Sequence, residues 1–166
     1  MLCGGVTFQC CLGRSGLAHR KREGDGKTPI GVWELQRGFY RADKMLRPAT
    51  GLALRQMRKT DGWCEDPSSG QYNRFVKLPF GPGHEAMWRS DDAYDVVFET
   101  SHNERPRVRK GGSAIFFHLT RAGANATAGC VAVSARDMRK ILARCGRQVK
   151  LVVWPPMGGL SGVHRK

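Results

Sequence analysis

A mainly β single domain with one clear helix is the fold class that this 166-residue sequence predicts. Three observations carry it. Short apolar or alternating runs recur between turns rich in glycine, proline, asparagine and aspartate, which is the punctuation of strands. Only one stretch, Ala135–Cys145, shows a clear helical period. No repeat or linker divides the chain, and its length suits one core.

The elements follow in order. Gly4-Gly5, between short apolar runs, predicts a hairpin turn with a strand at Val6–Leu12. Arg14–Thr28 is polar and glycine-rich and reads as a loop. Thr28-Pro29-Ile30-Gly31 leads into a strand at Val32–Tyr40, and alternation in Leu52–Arg58 gives another. Residues 60–92, which include DGWCEDPSSGQYNRF, carry turn residues throughout and read as irregular. Tyr94–Thr100 (YDVVFET) is a strand, Arg105–Gly112 a basic turn, and Ser113–His118 a buried strand. In the helix, Ser134 is the cap and Asp137 takes the capping-box position. Met138, Ile141, Leu142 and Cys145 make its apolar face. Gly146 stops it, and Val149–Trp154 follows as the last strand. Residues 1–154 then form the domain, and 155–166 read as a flexible tail.

The net charge is +14, from 28 basic and 14 acidic residues. Such an excess attracts polyanions: nucleic acid, acidic lipid surfaces or acidic wall polymers. The few aromatics are not interleaved with basic residues on a recognisable binding strand, which disfavours a nucleic-acid-binding module. The basic runs His19-Arg20-Lys21-Arg22 and Arg105–Lys110 (RPRVRK) read as solvated loops, with an anionic-polymer surface as the alternative. No run approaches the roughly 18 apolar residues of a membrane helix. MLCGGVTFQCCLGRSG has no basic segment followed by an apolar one, so no secretory leader is visible. Met1-Leu2 directly before Cys3-Gly4-Gly5 makes a short first strand, as expected of a start site placed late. None of the six cysteines forms a C-x-x-C pair, which argues against a zinc ribbon or a thioredoxin-like motif.

The chemistry concentrates in GSAIFFHLTRAGANATAGC, Gly112–Cys130. An apolar run delivers His118, and Gly129 precedes Cys130. A free thiol is a weak nucleophile at neutral pH, and an imidazole beside it makes the thiolate accessible. The amides of Gly129 and Cys130 could face an oxyanion, since glycine lets a substrate carbonyl approach. The same residues also read as a core cysteine and a satisfied strand-end histidine, and their spacing leaves both readings open. Trp63 and Asp66 read as cleft wall or as core cap and turn. His84 and Glu85, adjacent in an extended segment, face opposite ways and read as structural or cleft-edge residues.

GSAIFFH followed by TAGCVAV resembles the catalytic segment of the L,D-transpeptidase (YkuD) family. LGRSG at 12–16, KREGDGKTPIGVWEL at 21–35, YRADK at 40–44, GWCEDPSSGQYNR at 62–74 and EAMWRSDDAYDVVF at 85–98 resemble a short, leaderless proteobacterial branch of it. The resemblance implies a β-sandwich with one or two helices, acting in the periplasm on peptidoglycan stem peptides as donor and acceptor, without metal or cofactor. It implies that Cys130 forms a thioester with the L-residue of a donor stem and passes it to a diaminopimelate amine. His118 would be base and then acid, oriented by the backbone carbonyl of Leu119, with the Gly129 and Cys130 amides as oxyanion hole. It further implies 1–3 rather than 3–3 cross-links. Hydrolysis of stem peptides on the same scaffold, as a carboxypeptidase or amidase, is the alternative.

The chain departs from the family pattern in its short His-to-Cys gap, in Ala128 where a second histidine is usual, and in Ala132 where an arginine is usual. Arg121, Arg89 and Arg74 are the candidates to grip a donor carboxylate instead. Thr127, Tyr72, Asn73 and Trp88 complete the expected substrate contacts, with Tyr72, Asn73 and Arg74 expected to be exposed.

Overall fold

The computed structural model describes residues 1–81, 83–121 and 123–155. The expected tail lies, beyond Pro155, outside the described residues. The strands are β1 (Leu2–Cys3), β2 (Val6–Thr7), β3 (Leu17–Ala18), β4 (Thr28–Pro29), β5 (Gly31–Tyr40), β6 (Leu54–Gln56), β7 (Asp61–Cys64), β8 (Arg74–Lys77), β9 (His84–Ala86), β10 (Val96–Thr100), β11 (Phe116–Leu119), β12 (Val131–Val133) and β13 (Lys150–Val153); the helix α1 (Ala135–Leu142) precedes the last strand. The fold is mainly β, as the sequence predicts.

A six-stranded sheet is the centre, in the order β12-β11-β10-β5-β13, with β6 also paired to β5. The ten-residue β5 can serve three partners because a strand has two edges and length to share: β13 pairs with Gly31–Glu34 and β10 with Leu35–Tyr40, while β6 meets Gly38–Tyr40 from the edge opposite β10. Side chains alternate across this sheet and supply two cores. Phe98, Phe117, Leu119, Val131 and Val133 face the helix residues Met138, Ile141 and Leu142. Phe39, Val97 and Phe116 face the other way, toward Trp63 and Met87, with half-buried Phe75 packed alongside. The second core joins the central sheet to a three-stranded antiparallel sheet, β8-β7-β9. Trp63 meets Phe116 edge-on with ring centroids 5.1 Å apart, and Phe39 stacks on Phe75 at 5.7 Å.

That three-stranded sheet corrects the expectation of irregular chain over residues 60–92. The strand pattern is hidden because β7 begins with a charged residue, Asp61, that is fully buried. Its carboxylate accepts from Arg55 (2.9 Å), Lys77 (2.7 Å) and the Arg58 amide (2.9 Å). A buried charge satisfied in this way reads in sequence as a turn residue. The Gly4-Gly5 hairpin is present, with φ of 54° and 75° at the two glycines, as a tight two-residue connection requires. Its second strand pairs only over Val6–Thr7; farther on, Cys11 makes an isolated bridge to Ala132. The loop Arg14–Thr28 contains β3, paired in parallel with β4. Ser134 caps α1 by accepting from the Asp137 amide at 3.0 Å.

Leu142 is fully buried under the central sheet, whereas Leu46 is almost wholly exposed. Leu142→Ala should lower stability by about 2–5 kcal/mol, while Leu46→Ala should stay within about 0.5 kcal/mol of wild type, both read as urea midpoints.

Candidate active site

β11 and β12 are parallel neighbours, with His118 opposite Ala132. Because side chains alternate, Cys130, two residues before Ala132, projects on the same face as His118. Both line one cavity of about 320 Å³ beside the second core. The segment Thr127-Ala128-Gly129 turns the chain into this position. Thr127 Oγ1 donates to the Cys130 carbonyl at 2.7 Å and accepts the Gly129 amide at 3.1 Å. Gly129 has φ +146°, and a Cβ there would meet the Lys27 carbonyl oxygen at 2.8 Å, so glycine is required.

The thiol is held by backbone. Cys130 Sγ–H donates to the Ala114 carbonyl at 3.1 Å, and the Phe116 amide donates to Sγ at 3.3 Å. Ala114 is itself in the left-handed region, φ +51°. Its amide donates to Asn73 Oδ1 at 3.1 Å, the same oxygen that accepts Trp63 Nε1–H at 3.0 Å. The Asn73 amide nitrogen donates to the carbonyls of His102 and Asn103 at 3.1 and 3.0 Å.

His118 Nδ1 lies 2.8 Å from its neighbour's carbonyl, Leu119 O. A carbonyl only accepts, so Nδ1 carries the proton and Nε2 keeps its lone pair. Burial lowers the His118 pKa to about 4 against the support of that carbonyl. Burial pushes the Cys130 thiol up to about 12, partly offset by the Phe116 amide, and the carboxylates of Glu85 and Glu65 push it further. The resting pair at neutral pH is therefore thiol and neutral imidazole. The Tyr94 ring meets His118 edge-on at 5.3 Å, and its hydroxyl donates to Glu85 Oε1 at 3.0 Å.

The cavity is strongly charged. Arg89 binds Asp91 through two nitrogens at 2.8 and 2.6 Å and Glu85 at 2.9 Å; Arg121 reaches Asp91 at 3.5 Å. Lys21, its side chain almost fully buried, pairs with Asp25. Glu23 accepts from the Tyr72 hydroxyl. Among the described residues no group of three or more His, Cys, Asp or Glu is arranged to hold a metal ion.

Of the expected contacts, Cys130, His118, Gly129, Thr127, Arg121 and Arg89 line this cavity. Tyr72 and Asn73 do not, and they are buried rather than exposed. Asn73 adopts φ +53°, and its four hydrogen bonds tie together the loops around it. Arg74 is exposed but lines a separate cavity with Arg37 and Glu99. Trp88 is outside the thiol cavity's lining and lies under the Arg41 guanidinium, 3.8 Å from its ring centroid. The Gly129 amide is already bonded to Thr127, and Thr127 braces the turn. Lys21 is no solvated loop residue. Sequence reasoning missed Lys21, Glu23, Glu65 and Tyr94 as cavity residues and left Glu85 at the cleft edge. Their only signal was that they lie within the segments carrying the family resemblance.

The fold is a mainly β domain that brings a cysteine and a histidine to one charged cavity. The chain belongs to the YkuD family: the model for its L,D-transpeptidase catalytic domain matches residues 4–153. No curated protein and no solved structure matches the chain. Membership makes this an L,D-transpeptidase-family domain, with peptidoglycan as the family's substrate and the cell envelope as its setting. Among the described residues, no helix is long and apolar enough to cross a membrane.

Two outcomes follow from the buried pair. With its thiol pKa raised from 9.0 to about 12, Cys130 should react with iodoacetamide at pH 7 at least a hundredfold more slowly than free cysteine, as read by peptide mass mapping. His118 has a folded pKa of about 4 against 6.5 unfolded. As pH falls from 6.5 toward 4 the unfolded chain gains a proton that the folded one refuses, so stability is lost. His118→Gln removes that loss, so the stability of wild type minus variant should fall by about 3 kcal/mol across this window and stay flat above it, in urea titrations against pH.

Proposed function

We propose that the domain is a cysteine L,D-transpeptidase that cross-links peptidoglycan through a Cys130 thioester. The observation that carries the reading is the neutral Cys130–His118 pair on one face of adjacent parallel strands, within a single cavity. Cys130 Sγ attacks the carbonyl of the L-centre in the donor stem. As the S–C bond forms, the thiol proton passes to His118 Nε2, left basic by the Leu119 carbonyl on Nδ1. His118 then gives that proton to the departing D-residue amine as the C–N bond breaks. An acceptor amine attacks the thioester, a new C–N bond replaces the C–S bond, and the thiol is restored through His118. The Cys130 amide faces the oxyanion, joined by the Gly129 amide once Thr127 releases it.

A neutral resting pair means that the proton moves with attack, and a preformed thiolate is not required. Burial disfavours both ionised forms, so the charge separation is supported only where substrate fills the cavity and excludes water. Arg121 and Arg89 line the cavity and supply the cationic edge for a stem carboxylate, in place of the arginine that Ala132 replaces. We assign 1–3 linkage on the resemblance to the short branch: the diaminopimelate side-chain amine is the acceptor in either case, and the competing donors are the carbonyl of the first-position L-alanine, for 1–3 links, and that of the third-position L-centre, for 3–3 links.

Purified wild type, Cys130→Ala and His118→Ala should be incubated with defined muropeptides and the products read by fragmenting mass spectrometry. Wild type should yield cross-linked dimers and a donor adduct on Cys130. Cys130→Ala should yield neither, and His118→Ala should be slowed about a hundredfold or more. The position of the new bond decides between 1–3 and 3–3 links. Cleaved monomers without dimers would make the protein a hydrolase, and activity in Cys130→Ala would refute the mechanism.

A further inference from the structure

The thiol cavity holds three cations, Lys21, Arg89 and Arg121, and each is matched by an anion: Asp25 for Lys21, Asp91 and Glu85 for Arg89, and Asp91 for Arg121. Glu23 is engaged by Tyr72, and Glu85 by Tyr94 and Arg89. Glu65 is different. It follows β7 directly and lines the cavity, held there by its backbone amide on the Gly83 carbonyl at 2.8 Å. Its carboxylate makes no hydrogen bond or ion pair among the described residues. It is half-buried, and it is close enough to Cys130 to oppose thiolate formation.

We propose that Glu65 is the acceptor subsite: it binds the ammonium group of the incoming stem and takes its proton, so that a neutral amine attacks the thioester. This rests on the reading of Cys130 as the acyl carrier. The chemistry requires such a group. An ammonium ion has no lone pair, and an unpartnered, half-buried carboxylate lining the cavity both attracts it and can deprotonate it. Burial and the neighbouring Glu85 and Glu23 charges raise the Glu65 pKa to about 7, against the lowering pull of Arg89, which suits it to act as a base near neutrality. The other charged or titratable groups lining the cavity are the cations Lys21 and Arg121, the neutral His118 and Cys130, Tyr94, whose hydroxyl donates to Glu85, and Cys11, whose thiol donates to the Ala124 carbonyl at 3.7 Å; none of them is an unpartnered carboxylate.

The step balances. The ammonium gives one proton to Glu65. The amine forms the C–N bond as the C–S bond breaks. Its second proton passes through His118 to the Cys130 sulfur, and Glu65 returns its own to solvent. The arrangement also links binding to reactivity: a cation docked on Glu65 cancels a charge that opposes ionisation of Cys130.

Glu65→Gln keeps the size and removes the charge. Acyl-enzyme should be formed with a donor stem whose side-chain amine is blocked, followed by intact mass, and then chased either with a diaminopimelate-containing tripeptide or with hydroxylamine, which is uncharged at neutral pH. The variant should acylate at least as fast as wild type, because a charge that opposes ionisation of Cys130 is gone, and its acyl-enzyme should react normally with hydroxylamine. Its transfer to the tripeptide at pH 7 should fall about tenfold to a hundredfold, and the rise in wild-type transfer as pH passes through about 7 should vanish. Transfer to the tripeptide at the wild-type rate, or equal slowing with both nucleophiles, would overturn the proposal. A wild-type protein that forms no thioester would refute the acyl-carrier reading itself, and with it this subsite.

Discussion

Two backbone hydrogen bonds on the Cys130 sulfur are the constraint around which the rest of the site is built. Sγ lies between the Ala114 carbonyl and the Phe116 amide, one an acceptor and one a donor, the amide at the start of the strand that also carries His118 and the carbonyl just before it. Only a neutral thiol can satisfy both, because a thiolate has no proton for Ala114. Ala114 occupies the left-handed region without being glycine, and a lone left-handed alanine holds only when its surroundings determine it. Asn73 does so by accepting the Ala114 amide while it also binds Trp63 and the loop carbonyls of His102 and Asn103. Trp63 in turn packs on Phe116. The three-stranded sheet, the second core and the thiol are therefore one mechanical unit, with Asn73 at its junction.

The same register explains what the alanine at 132 does. Ala132 lies opposite His118 on one side and bridges to Cys11 on the other, and its side chain faces the cavity. A long cationic side chain at 132 would stand beside the imidazole. With alanine there, positive charge moves to the rim, on Arg89 and Arg121, which approach from the β9–β10 connection and from the loop after β11. Each is held by Asp91, so the cationic edge is positioned rather than free.

How much of this could be read in the sequence depends on the range of the interaction involved. The long β5, the strand ending at His118 and the capped helix announce themselves through local alternation, an apolar run and the Ser134–Asp137 spacing. Cys130 and His118 were legible as residue types, and the matching family segments turned them from an ambiguous pair into an expected one. β7, β8 and β9 were not legible, because their signal is a buried aspartate satisfied by two cations from other strands. Asn73 looked like an exposed contact for the same reason: a polar side chain that satisfies four distant backbone and indole groups has no local signature. Glu65 and Glu85 lie twenty residues apart and become neighbours only because β7 and β9 pair, with Trp63 opposite Glu85.

That pairing has a consequence for reactivity. A thiol activated at rest needs a nearby cation, and this cavity instead presents Glu65 and Glu85 to a buried cysteine. Burial and the two carboxylates disfavour the thiolate, and burial keeps His118 neutral, so the proposed nucleophile is protected at rest. Each of these restraints is relieved by an ordinary property of the proposed substrates. A stem carboxylate drawn to Arg89 and Arg121 brings the donor carbonyl to the thiol, and an ammonium drawn to Glu65 removes an opposing charge. In the proposed mechanism, the Cys130 sulfur becomes a strong nucleophile in proportion as the cavity is filled by molecules carrying both signs of charge. An amphoteric stem peptide meets that condition, whereas a simple ester or a water molecule does not.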